Sequence, residues 1–291
     1  MEIAEQEPMR FHTTFRTGGP ARWFCPVSSV SDILDVLRFA DEKKAGLFVI
    51  GKGSNLLVSD DGLSGVVMEI GDGFRKMTVD GDRIIAEAGA SLSAVAAAAR
   101  NHGLSGLEFA SGIPGTLGGG ISMNAGAYDG EMKDVVESVD VIRKGELLRL
   151  NGEEMHFSYR SSRCHEEELI ITGAVLHLTP GDPAEIGKKM QELNERRREK
   201  QPLKYPSAGS TFKRPEGYFA GKLIQDAVLK GYSVGDAQVS EKHTGFVINR
   251  GNASSEDIYR LIMHVVQEVE KNSGVRLEPE VRIWGSFSEE R

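Results

Sequence analysis

Ile113-Pro114-Gly115-Thr116-Leu117-Gly118-Gly119-Gly120-Ile121-Ser122-Met123-Asn124-Ala125-Gly126-Ala127-Tyr128 is the stretch on which the reading of this chain turns. Glycine recurs at 115, 118, 119, 120 and 126. Without a Cβ, such residues let main-chain N–H groups converge on an anion and adopt positive φ. A second glycine turn, Gly51-Lys52-Gly53-Ser54-Asn55, follows the apolar run Leu47 to Ile50. A pyrophosphate is the natural ligand of two such loops; close backbone packing is the competing reading. The common nucleotide motifs fail. Gly51-Lys52-Gly53 lacks the third glycine of GxGxxG, and no GxxxxGK[ST] occurs, so neither a dinucleotide fingerprint nor a P-loop is present.

Outward from these loops the chain alternates helical and strand patterns. Ile33, Val36, Leu37 and Ala40 line one face of a helix expected over Ser31 to Ala45, with Ser31 as cap and Gly46 as stop. Strands are expected at Leu47 to Ile50, Leu56 to Val58, Leu63 to Ile70, Lys76 to Val79, Arg83 to Ala88 and Leu169 to Leu178. A hairpin is expected about Lys144-Gly145. The alanine-rich helix Ser91 to Asn101 suits close packing. Asp182-Pro183 opens a helix running to Lys200, whose end, Arg196 to Arg198, reads as solvated. Lys200 to Pro206 is a linker. Beyond it come a helix from Tyr218 to Leu229, a strand at Phe246 to Asn249, a capped helix from Ser254 to Asn272, and a closing strand from Val275 to Ile283.

Composition narrows the function. The 291 residues carry 35 Lys and Arg against 43 Asp and Glu, net charge -8, which disfavours nucleic acid or an anionic membrane as partner. No protein partner is evident. Cys25 and Cys164 are far apart, with no CxxC, and the seven histidines form no metal pattern, so no metal is expected and a reducing compartment fits. Residues 1–10 have no apolar signal core and no run approaches the length of a membrane span, so a cytoplasmic location is expected.

The loops, together with Thr14-Phe15-Arg16-Thr17-Gly18-Gly19-Pro20-Ala21, Tyr159-Arg160, Ser162-Arg163, Ser207-Ala208-Gly209-Ser210-Thr211-Phe212-Lys213 and Glu278-Pro279-Glu280-Val281-Arg282, resemble the UDP-N-acetylenolpyruvoylglucosamine reductases. These are the FAD enzymes that complete UDP-N-acetylmuramate for bacterial cell walls. The resemblance runs nearly the whole chain. It implies an α+β fold: a two-part FAD-binding unit of the vanillyl-alcohol-oxidase/PCMH type, residues 1–70 and 71–203 completed by 275–291, plus a smaller α/β substrate-binding domain over 204–274. The stretch from Arg160 to Ser210 is too short for the extra tyrosine-bearing loop of one branch, so the chain resembles the shorter branch.

The resemblance also implies roles. FAD contacts fall on Gly51, Lys52, Gly53, Ser54, Asn55, Leu56, Gly115, Thr116, Gly119, Gly120, Ser122, Asn124, Gly126 and Ala127. NADPH is the hydride donor to FAD, and flavin N5 passes hydride to the enolpyruvyl methylene carbon. Arg160 supplies a fixed planar charge for the carboxylate as enolate character develops, Ser210 the proton, and Glu280 polarisation. Lys213, Arg214, Arg282 and Lys200 are the basic candidates for the UDP phosphates. Three other readings compete: a flavin oxidase of the same wider fold, a non-catalytic sugar-nucleotide sensor, and a nucleotide-triphosphate enzyme.

Overall fold

A computed structural model describes residues 2–288. The chain forms two compact units. The first comprises Phe24–Lys52 and Val66–Arg197 with the first few residues. The second comprises Ala4–Trp23, Gly53–Gly65 and the chain from Arg198 onward. Helices and sheets are mixed in both, and the fold is α+β.

In the first unit, helix α1 (Val30–Lys43) starts where Ser29 Oγ accepts the Asp32 N–H at 3.1 Å. It ends at Lys44 in the left-handed region, φ 52°. Both ends lie about two residues earlier than the expected Ser31 and Gly46: Ser29 reaches the third helical amide, and Lys44 itself makes the reversal. Leu47–Ile50 then pairs in parallel with Leu63–Ile70, Leu47 opposite Val66. The main sheet is antiparallel, in the order Glu146–Asn151, Val136–Arg143, Leu169–His177, Arg83–Glu87, Met77–Asp80. Its hairpin turns on Lys144 and Gly145, φ 51° and 81°, the positive pair that a two-residue turn requires. Val139, Val141, Ala174, Leu176 and Ile84 are buried in this sheet. Helix α2 (Leu92–Asn101), capped by Ser91, buries Leu92, Val95, Ala96 and Ala99. Full burial of a side chain such as Leu92 contributes about 1.5–3 kcal/mol.

Part of the expected glycine loop is a short helix, α3 (Leu117–Ser122), capped by Thr116 Oγ1 on the Gly119 N–H. Helix α4 (Pro183–Lys200) begins as expected, with Asp182 Oδ1 accepting from Ala184 and Glu185.

The second unit is organised by α6 (Ser255–Ser273). Its capping box joins Ser254 and Asp257, and Gly274 ends it at φ 72°. Ile258, Leu261, Ile262, Val265, Val266 and Val269 form one buried stripe, packed in a cluster with Phe15, Leu57, Ile224, Val247 and Leu277. A three-stranded sheet, Ser233–Val234, Ala237–Val239, Val247–Asn249, belongs to this unit. Here two expectations fail. The helix expected over Tyr218 to Leu229 is α5 (Ala220–Asp226) alone, because Tyr218 is still in a turn on Pro215 and Val228 has φ 59°. The strand expected from Val275 is confined to Arg282–Trp284, parallel to Leu56–Val58. Pro279 has no N–H to extend a ladder and leaves only an isolated bridge to Phe212. Strands at Ala4–Pro8 and Pro20–Val27 were not anticipated. No helix among the described residues is long and apolar enough to cross a membrane.

Candidate active site

The isolated bridge at Pro279 brings together residues 67 positions apart. On one side of it the Lys213 N–H donates to Glu278 O at 2.9 Å; on the other the Glu280 N–H donates to Thr211 O at 2.8 Å. Ser210, next to Thr211, is exposed, while Thr211 is fully buried. Thr211 is held from two further directions: its N–H donates to Gly245 O at 2.8 Å, and its Oγ1 accepts the Val247 N–H at 2.9 Å. Glu280 is fixed equally firmly, because Asn55 Nδ2 donates to its carbonyl at 3.1 Å. Asn55 O in turn accepts the Arg282 N–H at 3.0 Å. Asn55 therefore braces both Glu280 and the first residue of the strand Arg282–Trp284.

Arg160 lies in the first unit, at the tip of a tight reversal. Ser158 and Ser161 exchange N–H···O bonds at 3.1 and 3.2 Å, and Arg160 takes φ 55°, a conformation uncommon outside glycine. Its Nη2 donates to Gly126 O at 2.9 Å and its guanidinium lies 5.0 Å from the Tyr159 ring centroid. Ser162 Oγ ties the following residue to Ser122 O at 2.8 Å. Thus the arginine turn is docked on the glycine-rich segment itself.

That segment answers first to packing. A Cβ at Gly118 would sit 2.9 Å from Ala88 Cβ, and one at Gly120 3.0 Å from Leu92 Cδ1. The amides of Leu117, Gly118 and Gly120 are spent on Ala90 O, Ala88 O and Thr116 O. A Cβ at Gly51 would lie 2.3 Å from Thr116 Oγ1, so the two glycine loops touch. At Gly53, φ 55° combines with His12 O only 1.9 Å from the position of a Cβ. Capacity for an anion remains where the loops meet. The Lys52 N–H donates to no protein acceptor among the described residues, and Gly119 is exposed, with only Thr116 Oγ1 within 4 Å of its missing Cβ. An unspent amide beside an open glycine fits the phosphates of FAD.

Among the other expected contacts, Asn124 is completely buried with its carboxamide committed to protein groups. The basic candidates lie in the second unit. Lys213 pairs with Glu278. Arg214 stacks on Phe219, 4.0 Å from its centroid, and donates to Tyr218 O at 3.2 Å. Arg282 and Lys200 are exposed. The solvated reading of Arg196 to Arg198 fails at Arg197. Burial holds its guanidinium below the usual arginine range, with the nearby Tyr128 opposing, and its Cδ lies 3.2 Å from the position of a Cβ on Gly112. Successive helical residues face different directions, so three consecutive arginines do not share one environment. Thr211 was passed over because its importance rests on long-range bonds that no local pattern displays.

His243 is a half-buried group in the second unit. Its Nδ1 accepts the Gly245 N–H at 3.2 Å and its ring packs edge-on against Phe246 at 4.9 Å. Burial, assisted by the Lys200 charge, pushes its pKa down.

Residues 201–284 match the family described as UDP-N-acetylenolpyruvoylglucosamine reductase, C-terminal domain, and residues 21–151 match an FAD binding domain. A UDP-N-acetylenolpyruvoylglucosamine reductase of Caldanaerobacter subterraneus subsp. tengcongensis is 54% identical over 280 residues, 96% of this chain and 92% of that one. The protein of that name in Agathobacter rectalis is 51% identical over 300 residues, covering 98% and 95%. The crystal structure of UDP-N-acetylenolpyruvylglucosamine reductase (MurB) from Thermus caldophilus superposes with a TM-score of 0.85 at 34% identity, covering 98% of each chain.

Proposed function

Since the chain belongs to the UDP-N-acetylenolpyruvoylglucosamine reductase family, we propose that it reduces UDP-N-acetylenolpyruvoylglucosamine to UDP-N-acetylmuramate, with FAD as cofactor and NADPH as electron donor, in the cytoplasm. The reading includes the division into residues 1–70, 71–203 with 275–291, and 204–274; the last three residues of that second piece lie outside the described residues. It also places the chain in the branch without the tyrosine loop. The observation that supports it is the bond from the Glu280 N–H to Thr211 O, which ties the main chain of the proposed polarising residue to the residue that follows the proposed proton donor.

FAD, when bound, supplies the hydride, having received it from NADPH. The chain's own residues do the rest. Lys52 offers its amide and Gly119 its open backbone to the FAD phosphates. Arg160 presents a planar fork to the substrate carboxylate, where negative charge develops as the methylene carbon is reduced, and its bond to Gly126 fixes the orientation in advance. Ser210 Oγ gives its proton to the carbon next to the carboxylate. Glu280, its main chain held by Asn55 and Thr211, is assigned the polarisation of the substrate carboxylate. Lys213, Arg214, Arg282 and Lys200 are the cations available to the UDP phosphates.

The test is flavin absorbance without oxygen. NADPH is expected to bleach the bound flavin, and the enolpyruvyl sugar nucleotide to restore it. Bleaching without recovery would assign another acceptor. A protein that takes up no flavin on reconstitution would overturn the reading.

A further inference from the structure

We propose that Asn124 is the positioning residue for Arg160 rather than a cofactor contact, a role that deepens the functional reading above and rests on it. Asn124 sits two residues before Gly126, whose carbonyl receives the Arg160 guanidinium at 2.9 Å. Its own side chain reaches the other attachment of the arginine turn: Nδ2 donates to Ser158 O at 2.9 Å, at the base of the reversal that carries Arg160. The second Nδ2 hydrogen goes to Glu131 Oε2 at 2.6 Å, and Oδ1 accepts the Lys133 N–H at 3.0 Å. One buried carboxamide therefore joins its own segment to Glu131 and Lys133 and to Ser158, at the base of the arginine turn.

The chemistry admits few other residues at 124. The position demands one acceptor and two donors on a short side chain, which asparagine has and aspartate lacks. It also demands φ 41°, a region asparagine tolerates better than most residues. The partners are themselves braced. Glu131 Oε1 accepts from Lys133 Nζ at 2.8 Å, and the Glu131 N–H donates to Asp134 Oδ2 at 2.9 Å. With no exposed surface, Asn124 has no face left for a ligand. Its effect on the reaction passes through the geometry of the Ser158–Ser161 turn, and hence through Arg160.

A double-mutant cycle tests this on the FAD-loaded protein, with flavin reduction by NADPH and re-oxidation by the sugar nucleotide followed separately. Asn124→Asp removes both donors at nearly constant volume. It is expected to slow re-oxidation about 10- to 100-fold, the scale of a sub-ångström to ångström misplacement of a catalytic group. Reduction by NADPH and the FAD dissociation constant stay within about twofold on the same argument, since neither depends on where Arg160 points. Arg160→Met slows re-oxidation by itself. The decisive reading is Asn124→Asp made in the Arg160→Met background, where it costs less than about twofold, because residues that act as one unit are not additive. Multiplying losses, or an equal failure of both half-reactions with loss of FAD, would overturn the proposal. Glu131→Ala, which withdraws one Nδ2 partner, enters the same cycle if Asn124→Asp does not fold, and must show the same non-additivity. The unmodified protein is the control for the functional reading. Absent recovery there strikes that reading; normal recovery there with undiminished recovery in Asn124→Asp strikes only this one.

Discussion

Thr211 is the residue whose replacement tests most directly how the site is built. It is fully buried, and its Oγ1 is the acceptor for the Val247 N–H at 2.9 Å. Thr211→Val preserves shape and volume but leaves that N–H buried without a partner, at a cost of about 1–3 kcal/mol. Thr211→Ser keeps the acceptor and loses one buried methyl, about 0.8 kcal/mol. The hydrogen bond therefore predicts that valine is the more damaging replacement. With a loss of about 2 kcal/mol and a urea slope of roughly 3 kcal/mol per molar, the midpoint for Thr211→Val falls by roughly 0.7 M, and for Thr211→Ser by less than half as much. The apoprotein is the form to unfold, because bound flavin adds its own stabilisation. A functional signature accompanies the stability loss. Thr211 O receives the Glu280 N–H and the next residue back is Ser210, so displacement of this segment slows flavin re-oxidation by substrate while leaving reduction by NADPH intact. A serine variant less stable than the valine variant would show that packing, not the hydroxyl, holds the segment. Unchanged re-oxidation in Thr211→Val would detach Thr211 from the positioning of Ser210 and Glu280.

Three shorter predictions use the same assays. Ser210→Ala, at an exposed position, is expected to leave the unfolding midpoint within about 0.5 kcal/mol of native while sharply slowing only the re-oxidation half-reaction; equal loss in both halves would remove the serine from proton donation. His243 has a folded pKa below its unfolded value, so the unfolded chain binds the extra proton first as pH falls: the stability tied to the neutral ring is present above the unfolded pKa, about 6.5, and is lost below it down through the folded pKa. His243→Gln should flatten that part of the stability profile, and an unaltered acid limb would refute the assignment. Arg197 has a desolvated guanidinium with no carboxylate partner among the described residues, so Arg197→Met is expected to keep or raise the apoprotein's urea midpoint; a marked fall would reveal an ion pair.

Much of the architecture was legible because it depends on local chemistry. The α6 stripe, its Ser254–Asp257 box and Gly274 stop, the Lys144-Gly145 turn and the Asp182-Pro183 start are each written within a few adjacent residues. The misreadings share a different cause. Pro20–Val27 was missed because proline at 20 and 26 reads locally as a break, yet the strand alternates in burial along most of its length. Val275 onward read as one strand because its apolar residues alternate, while Pro279 cuts the ladder to a single bridge. In both places the pairing partner, distant in sequence, decided what the proline meant.

The same distinction separates the residues that motifs identify from those that make the motifs work. Arg160, Ser210 and Glu280 could be chosen by resemblance, since each lies in a recognisable short run. Nothing in those runs says that Glu280 is aligned by Thr211 and Asn55, or that the Arg160 turn hangs from Asn124 and Gly126. Those contacts join segments 34 to 225 positions apart. They also give the glycines a second meaning. Gly51 and Gly118 are small because Thr116 and Ala88 occupy the space a side chain would need, and this tight packing leaves the Lys52 amide unspent at the turn. Close packing and anion binding, rival explanations when only the sequence is read, are therefore successive steps of one arrangement. A substitution such as Gly51→Ala, which drives a methyl into Thr116 Oγ1, should then weaken FAD retention even though it removes no group that touches the cofactor; flavin content after dialysis at constant secondary structure measures it, and full retention would separate the two roles again.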